Sequence, residues 1–491
     1  MKSIKYILAL ITLFAIAGYS WQEVPSSHEP PQPGTYFADL IGINGFKWPH
    51  KMHGLKDVLS HQRAGLLWKQ VEPTKGTYDD KRITEWINRA NNVNMLPLLG
   101  YAPRWAEDRS PTTYHVAGHK VEITKRNKQL YYKSDFPGPF RANNVKAGGG
   151  WSFPIAKDHV QDWKDVLGYV VPKLRASGMD YFQVWNEPGG VSPFYVGNID
   201  ITENDPDVPT NSNYYTRVTK PAAEAIHAAG GKVVHGGWPT VPGLTIENYV
   251  RWLDYHNAWD VIDVLNFHYR NSHAVKEMEK LRKAAEQRGY KDIGIWQTEV
   301  GNMPDPLVIT NQLPRFALWA IKHNEGDANR YRIYWYAKVP LFQGEDHKLS
   351  RVARAIKGIG KLLGGKSEKM QAYHNISVDK DIVINKPGTV NHGTNSIEAF
   401  KVGQDRIVVA VHLDKETRDN ITLSFPDIRD VDAASRVTPW GERKDIEAQQ
   451  TDSGLELRVP TTKITMPGGG YLKSNSTYAR TFFVVLEMDH S

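Results

Sequence analysis

The most telling segment of this 491-residue chain reads Tyr181-Phe-Gln-Val-Trp-Asn-Glu-Pro-Gly-Gly190. An apolar, aromatic run ends abruptly in the carboxylic acid of Glu187, with an amide before it and a rigid proline after it. A second apolar run, Gly294-Ile-Trp-Gln-Thr-Glu299, ends in an acid in the same way. Such runs are typical of buried strands in a parallel sheet, whose carboxyl ends meet on one face. The sequence therefore predicts two glutamates at the mouth of a barrel.

The rest of the pattern agrees with a barrel. From about residue 36 to 365, short apolar runs alternate with longer amphipathic segments, as in repeated βα units. The candidate strands cover residues 40–44, 64–68, 95–101, 181–185, 232–236, 261–267, 293–297 and 332–336. Eight strands are the number that closes a parallel (β/α)8 TIM barrel.

The pattern changes after residue 365. Four strand-like runs, at 406–413, 421–425, 455–459 and 481–488, are separated by turn residues with no helical period between them. We therefore predict an α/β fold with a catalytic barrel over 36–365, followed by a smaller all-β domain, a β-sandwich, over 366–491.

The N-terminus resembles an export signal. Lys2 and Lys5 precede the apolar run Tyr6–Ala17, and small residues follow it. This pattern predicts a signal peptide over residues 1–20 and a proline-rich leader over 21–35. The alternative, a membrane anchor, is disfavoured because the run is short. We expect a secreted or periplasmic bacterial protein with no membrane span after signal removal. With no cysteine there is no disulfide framework, and with no recognition motif a nucleic-acid partner is not expected.

Two carboxyl groups presented from two strand ends match what cleavage of a glycosidic bond requires. The aromatic surroundings of Glu187 favour its protonated form, so it is the better proton donor. Glu299 would then be the nucleophile, and Asn186 could bind the sugar hydroxyl next to the anomeric carbon. The alternative for each glutamate alone is an ordinary solvated loop acid.

Several motifs carry a family resemblance. Trp185-Asn-Glu-Pro188 with Trp296-Gln-Thr-Glu299 resembles the glycoside hydrolases of clan A, the retaining (β/α)8 glycosidases. The stretches 68–78 and Leu99-Gly-Tyr-Ala-Pro-Arg-Trp105 are similar to strand ends of exo-acting members and of family 39. The resemblance covers roughly residues 36–365. It implies Glu187 as acid/base, Glu299 as nucleophile and Asn186 as the 2-hydroxyl contact, with no metal and no organic cofactor.

Other strand ends supply weaker candidates for substrate binding. His268 and Tyr269 end the sixth strand, and the resemblance implies a ring beside the nucleophile there. Trp335 ends the eighth strand and could stack on a sugar ring, as could Trp105 after the third. Packing in the barrel wall is the alternative for each ring. No His/Asp/Glu cluster shows metal-ligand spacing, so no metal site is predicted.

The segment from His119 to Lys146 is strongly basic. It has two acids, Glu122 and Asp135, against seven basic residues: Lys120, Lys125, Arg126, Lys128, Lys133, Arg141 and Lys146. We expect a catalytic-face loop of about 50 residues here, and loops of that length are commonly lids or binding loops. Lys125 and Arg126 are candidates to pair with sulfate or carboxylate groups of a polysaccharide. The alternative is a solvated loop whose lysines only keep it soluble.

These observations predict a secreted retaining glycoside hydrolase. Its substrate would be a plant or algal poly- or oligosaccharide, with sulfated or uronic sugars favoured by the basic segment. Two alternatives stay open: a non-catalytic carbohydrate-binding protein on a barrel scaffold, and a transglycosylase that uses the same glutamates. Nothing in the sequence indicates an oligomeric state.

Overall fold

A computed structural model describes most of the chain after residue 33. The described residues are 34–44, 54–90, 93–107, 113–116, 119–126, 129–134, 145–146, 155–187, 214–238, 245–268, 274–300, 306–324, 327–336, 342–343, 348–379, 381–390, 395–413, 419–462 and 480–488. The predicted signal peptide and nearly all of the leader lie outside them. No described helix combines the length and the apolar character needed to cross a membrane.

Eight parallel strands close into a barrel. In chain order they are β1 Ile41–Asn44, β2 His61–Leu67, β3 Asn94–Gly100, β4 Tyr181–Val184, β5 Lys232–Val234, β6 Val264–His268, β7 Gly294–Val300 and β8 Tyr331–Tyr336. Each strand pairs in parallel with the next, and β8 returns to β1 with Ile333 opposite Ile41 and Trp335 opposite Ile43. The TIM barrel predicted from the apolar runs is confirmed.

One layer of the barrel interior is filled by apolar and aromatic side chains. They are Leu96, Val234, Val264, Trp296 and Tyr334, one each from β3, β5, β6, β7 and β8. Gly42 in β1 makes room for this layer, because a Cβ atom there would lie 2.5 Å from the Tyr334 ring. The interior is therefore a packed core that leaves only the strand ends for chemistry.

Helices cover the outside of the barrel. The described α-helices are Phe37–Leu40, Trp68–Val71, Asp80–Ala90, Val160–Ala176, Lys220–Ala228, Ile246–Tyr255, Ala274–Gln287, Pro306–His323 and Arg351–Leu362. Ser350 caps the last of these by accepting a hydrogen bond from Ala353 N at 3.2 Å. A π-helical turn, Tyr215–Thr219, precedes Lys220–Ala228. It lies just before Pro221, whose ring and missing N–H disrupt the regular helix ladder.

The C-terminal region is a β-sandwich, as predicted. One sheet contains Thr35–Tyr36, Lys369–Ala372, Val383–Ile384, Ser396–Val402, Arg406–Leu413, Ala433–Val437, Arg443–Asp445 and Arg480–Glu487. The other contains Ser377–Val378, Asn420–Phe425, Ala448–Thr451 and Gly454–Pro460. Their inner faces share one hydrophobic cluster that includes Ile397, Val411, Leu423 and Leu457. The strand Thr35–Tyr36 lies before the barrel in sequence but belongs to this sheet.

A buried polar cluster joins the sandwich to the barrel. Arg315, on helix Pro306–His323, donates to Ser396 Oγ at 2.8 Å and lies 3.5 Å from the Glu398 carboxylate. Glu398 also accepts from Asn385 and contacts the His412 ring. Removal of any one partner would leave an uncompensated buried charge, which is strongly destabilising. The cluster therefore links Arg315 on a barrel helix to strands of the sandwich.

The basic segment differs from its prediction. It was expected to be a long loop, but it contains a four-stranded antiparallel sheet of Thr113–Val116, His119–Arg126, Gln129–Ser134 and Val145–Lys146. In this sheet Lys125 pairs with Leu130 and Arg126 with Gln129. Backbone pairing within the insertion replaces the loop, because its Thr, Val, Ile and Tyr residues favour strands.

Candidate active site

Two glutamates meet at the carboxyl-terminal mouth of the barrel. Glu187 follows β4 and Glu299 lies in β7. One carboxylate oxygen of Glu187 lies within 4.8 Å of one of Glu299. The Glu299 side chain is 7% exposed and that of Glu187 is 25% exposed. The two acids identified at strand ends, far apart in sequence, thus face each other, and Glu187 is the more open to solvent.

The backbone after β4 turns through the left-handed region. Trp185 has a φ of 67° and Glu187 a φ of 51°, values that cost about 1–2 kcal/mol each for residues with a side chain. Trp185 N donates to Leu99 O, and Glu187 N donates to Gly236 O, both at 2.7 Å. Neighbouring strands therefore hold a strained turn that aims Glu187 across the barrel mouth.

Arg63 on β2 donates hydrogen bonds to three side chains of the site. Its Nε donates to Gln183 Oε1 at 2.6 Å, its Nη1 donates to Glu299 Oε1 at 2.6 Å, and its Nη2 donates to Asn186 Oδ1. Arg63 is 2% exposed, so its charge is poorly screened by water. A fixed cation at this distance favours the ionised form of Glu299. The bond to Asn186 also orients that amide at the mouth of the site.

His268, at the end of β6, bridges the two acids. Its Nδ1 lies 3.1 Å from Glu187 Oε1 and 3.7 Å from Glu299 Oε2. Its Nε2 lies 2.8 Å from Thr298 Oγ1. The ring is fully buried. The predicted candidate His268 is thus in the site, while its predicted companion Tyr269 lies outside the described residues.

Two tyrosines border the site in protonated form. Burial raises the pKa of Tyr101. Arg63 opposes part of this rise, and the two carboxylates add to it. Burial and the same carboxylates raise the pKa of Tyr336. Both hydroxyls therefore keep their protons across the physiological range, and Tyr101 is hydrogen-bonded to Asn186.

Four further residues were predicted to contact the substrate. Trp335 is 2% exposed and belongs to the hydrophobic core, which favours the packing alternative. Trp105 packs edge-on against Trp68 at 5.5 Å. Lys125 and Arg126 lie in the inserted sheet described above. The roles of these four residues in binding remain predictions.

A metal ion fits the cluster poorly. Among the described residues, Glu187, His268 and Glu299 are the one group whose possible ligand atoms all lie within 4.8 Å of one another. This proximity could not be read from sequence spacing. Arg63 already donates to the Glu299 carboxylate, and its positive charge would oppose a divalent cation. The cluster is better suited to two carboxyls with different hydrogen-bond partners, His268 for Glu187 and Arg63 for Glu299.

Four supporting side chains were not predicted from the sequence. Arg63, Gln183, Asn266 and Thr298 are all buried within barrel strands or next to Glu299. The available signal was a cation and amides inside otherwise apolar strands, because buried polar groups require partners. Their partners come from distant strands, so pattern alone could not identify them.

Gly237 is expected to be intolerant of a side chain. It has a φ of +80°, and a Cβ there would lie 2.1 Å from His268 Nε2. Gly237→Ala should lower the free energy of unfolding by about 2–5 kcal/mol, the sum of backbone strain and overpacking. Gly178→Ala is the matched control, because Gly178 has a φ of +85° but open space around it. Equal losses in urea unfolding would contradict the steric account.

His235 makes the fold sensitive to acid. Its ring stacks on Tyr249 at 5.1 Å, and both of its ring nitrogens are buried without a hydrogen-bond partner. Burial, aided by His268, lowers the pKa of His235 to about 3. The folded state therefore excludes a proton that the unfolded state binds below pH ~6.5. This contribution to stability is present above that pH and is lost as pH falls, by up to about 1.4 kcal/mol per pH unit.

The variant His235→Phe tests this sign. Phenylalanine keeps the ring contacts and removes the titrating group, so the variant should lose less stability than the parent between pH 7.5 and 5. Urea unfolding at the two pH values gives the comparison. An unchanged loss would show that His235 takes up no proton on unfolding.

Comparison with solved structures shows the same fold in known enzymes. The family 39 glycoside hydrolase from the gut symbiont Bacteroides cellulosilyticus WH2 aligns with a TM-score of 0.52 and 13% identity, over 92% of this chain and 82% of that one. The GH39 enzyme from Xanthomonas axonopodis pv. citri aligns with a TM-score of 0.53 and 11% identity, over 93% and 96%. A GH39 β-xylosidase from Caulobacter crescentus aligns with a TM-score of 0.51 and 12% identity, over 93% of this chain and 98% of that one.

These similarities concern architecture. At such low identity they show that the chain shares the barrel-and-sandwich fold of family 39 structures, in agreement with the resemblance of its motifs. No protein family model matches the sequence, and a search of curated proteins gave no match.

Proposed function

We propose that this protein is a retaining glycoside hydrolase that uses Glu187 and Glu299. The observation that carries the proposal is the distance between their carboxylate oxygens, within 4.8 Å, at the mouth of the barrel. Retaining glycosidases place their two carboxyl groups about 5–5.5 Å apart, whereas inverting enzymes need about 6.5–9.5 Å to admit a water molecule between them. This separation leaves room for an anomeric carbon but not for an intervening water.

The surroundings of each acid support distinct roles. Glu299 is the more buried, and Arg63 donates to it, so it is held as the carboxylate that attacks the anomeric carbon. Glu187 is the more exposed and has no arginine contact among those described, so it suits proton exchange with a leaving group and with water. Asn186, oriented by Arg63, would bind the neighbouring sugar hydroxyl.

The reaction would proceed in two displacements. In the first, Glu299 forms a bond to the anomeric carbon while Glu187 gives its proton to the departing glycosidic oxygen. In the second, Glu187, now ionised, takes a proton from water as the water oxygen attacks the anomeric carbon and releases Glu299. Two inversions give net retention of configuration. A sugar acceptor in place of water would make the same site a transglycosylase.

A non-catalytic carbohydrate-binding protein is less compatible with the site. Sugar binding alone does not require a buried arginine–carboxylate pair, whose desolvation is costly. Such a protein also has no need for two acids held this close, since like charges disfavour each other.

We further propose an anionic polysaccharide or oligosaccharide as substrate. The support is the basic composition of the inserted sheet, which follows β3 on the carboxyl-terminal side of the barrel. One structural neighbour is named a β-xylosidase, so neutral xylosides are the competing substrate class. Cationic side chains beside a sugar site would favour sulfate or carboxylate groups and make binding salt-dependent.

A panel of purified glycans tests both the proposed hydrolase activity and the proposed preference for anionic substrates. We expect hydrolysis of sulfated or uronic glycans to exceed that of neutral xylosides, with products resolved by size. Replacing Lys125, Arg126 and Lys128 together with glutamine should raise KM for anionic substrates and flatten the salt dependence. The charge-matched control replaces three exposed lysines elsewhere, Lys81, Lys291 and Lys444. Equal activity on neutral and anionic glycans would remove the anionic proposal but leave the hydrolase proposal intact.

Export is proposed on the N-terminal pattern alone. We expect the mature protein, recovered from a bacterial host, to begin close to residue 20, and N-terminal sequencing would check it.

A further inference from the structure

The orientation of one buried amide determines a chain of hydrogen bonds below the site. Asn266, in β6, is fully buried. Its Oδ1 accepts from the backbone N–H of Thr298 at 3.1 Å. Because a backbone N–H can only donate, the oxygen of the amide must be on that side. The Nδ2 group then donates to His235 O and to Thr298 Oγ1, both at 2.8 Å.

The Thr298 hydroxyl carries one proton, which needs an acceptor. Its oxygen already accepts from Asn266, and among the described residues the other polar side-chain atom recorded in contact with it is His268 Nε2 at 2.8 Å. If Nε2 carried a proton, two donors would face each other or the threonine proton would be left buried without an acceptor, which is unfavourable. The hydroxyl therefore donates to Nε2, and the proton of the neutral ring lies on Nδ1.

We propose that Thr298 and Asn266 are positioning residues that fix His268 as the Nδ1–H tautomer, so that a single N–H donor faces both Glu187 and Glu299. The proposal rests on the proposed function for its catalytic meaning. The Nδ1–H lies 3.1 Å from Glu187 and 3.7 Å from Glu299. It can favour whichever carboxylate is ionised: Glu299 before the first displacement, and Glu187 after it.

The other titratable groups facing His268 keep constant charge through this cycle. Arg63, on β2, remains a cation. His235, after β5, is neutral because burial lowers its pKa to about 3. Tyr101, after β3, and Tyr336, on β8, keep their protons because burial raises the pKa of each. Among the described residues, the changes of protonation in this cycle are therefore confined to the carboxyls, and His268 stays a fixed donor between them.

The test compares Thr298→Val, which removes the hydroxyl at nearly constant shape, with Thr298→Ser, which keeps it. ¹⁵N NMR of the full chain labelled at histidine, with the His268 signals assigned by their loss in His268→Gln, reports which ring nitrogen carries a proton. We expect a protonated Nδ1 and an unprotonated Nε2 in the parent and in Thr298→Ser. In Thr298→Val this preference should be lost.

The pH profile of kcat/KM provides the second readout. Without the Nδ1–H donor both carboxylates are more easily protonated, so both limbs of the profile should move to higher pH, by about one unit. Thr298→Ser should keep the parent profile. A uniform drop in rate without a shift in Thr298→Val would indicate a structural role only and would overturn the proposal.

The two proposals fail separately. A parent spectrum with a proton on Nε2, or on both nitrogens, would refute the tautomer assignment whatever the activity. Absence of hydrolysis on every glycan would refute the proposed function, while the NMR comparison would still decide the assignment.

Discussion

Replacing Glu299 with glutamine is expected to lower kcat/KM by on the order of 10⁴ to 10⁶, the range found when a catalytic nucleophile is removed. Glutamine is nearly isosteric and keeps an oxygen to accept from Arg63, so the site should keep its shape. What is lost is the charge and nucleophilicity that the first displacement needs. Steady-state kinetics on the best substrate of the panel, together with thermal unfolding, gives the result.

The matched control is Glu277→Gln. Glu277 is another buried glutamate, 7% exposed, that lies on helix Ala274–Gln287 and is paired with Lys280 at 3.4 Å. Its replacement removes a buried carboxylate that lies on a helix and not in a barrel strand, and activity should be retained. Full activity in Glu299→Gln would exclude Glu299 as the nucleophile.

Replacing Glu187 with alanine should have an effect that depends on the leaving group. For natural glycosides, which need protonation of the departing oxygen, we expect kcat/KM to fall by about 10²–10⁴. Aryl glycosides whose leaving groups are acidic phenols need little protonation of the departing oxygen in the first step. Their kcat/KM should therefore fall much less. The difference between the two substrate classes identifies the proton donor and cannot arise from simple misfolding.

Azide distinguishes the two acids. In Glu187→Ala, azide can replace the activated water and should restore turnover with a glycosyl azide of retained configuration. In Glu299→Ala, azide would attack directly and give the opposite configuration, because only one displacement takes place. The reverse pattern of products would mean that the two roles are exchanged.

The sequence predicted the strand ends well because each is an apolar run followed by polar residues. Three boundaries differ by three residues: the beginnings of the second and sixth strands and the end of the seventh. The second strand was predicted over 64–68 but spans His61–Leu67, since its first residues, His61, Gln62 and Arg63, are polar although buried. Pattern analysis assigns such residues to the surface, whereas in a barrel they can point to an interior polar network.

Arg63 shows why the site could only be predicted in part. Its three acceptors are Gln183, Asn186 and Glu299, at sequence separations of 120, 123 and 236 residues. No local signal links these positions; closure of the barrel brings them together. The acids were visible because they end strands, but the donors that assign them different roles depend on contacts between strands.

The configuration of the first product tests the central claim most directly: that Glu187 and Glu299 act on one anomeric centre from either side. ¹H NMR can follow the anomeric proton in the first minutes of hydrolysis, before mutarotation mixes the anomers. Net retention is the result that a carboxylate separation within 4.8 Å predicts. A first product of inverted configuration would contradict the account.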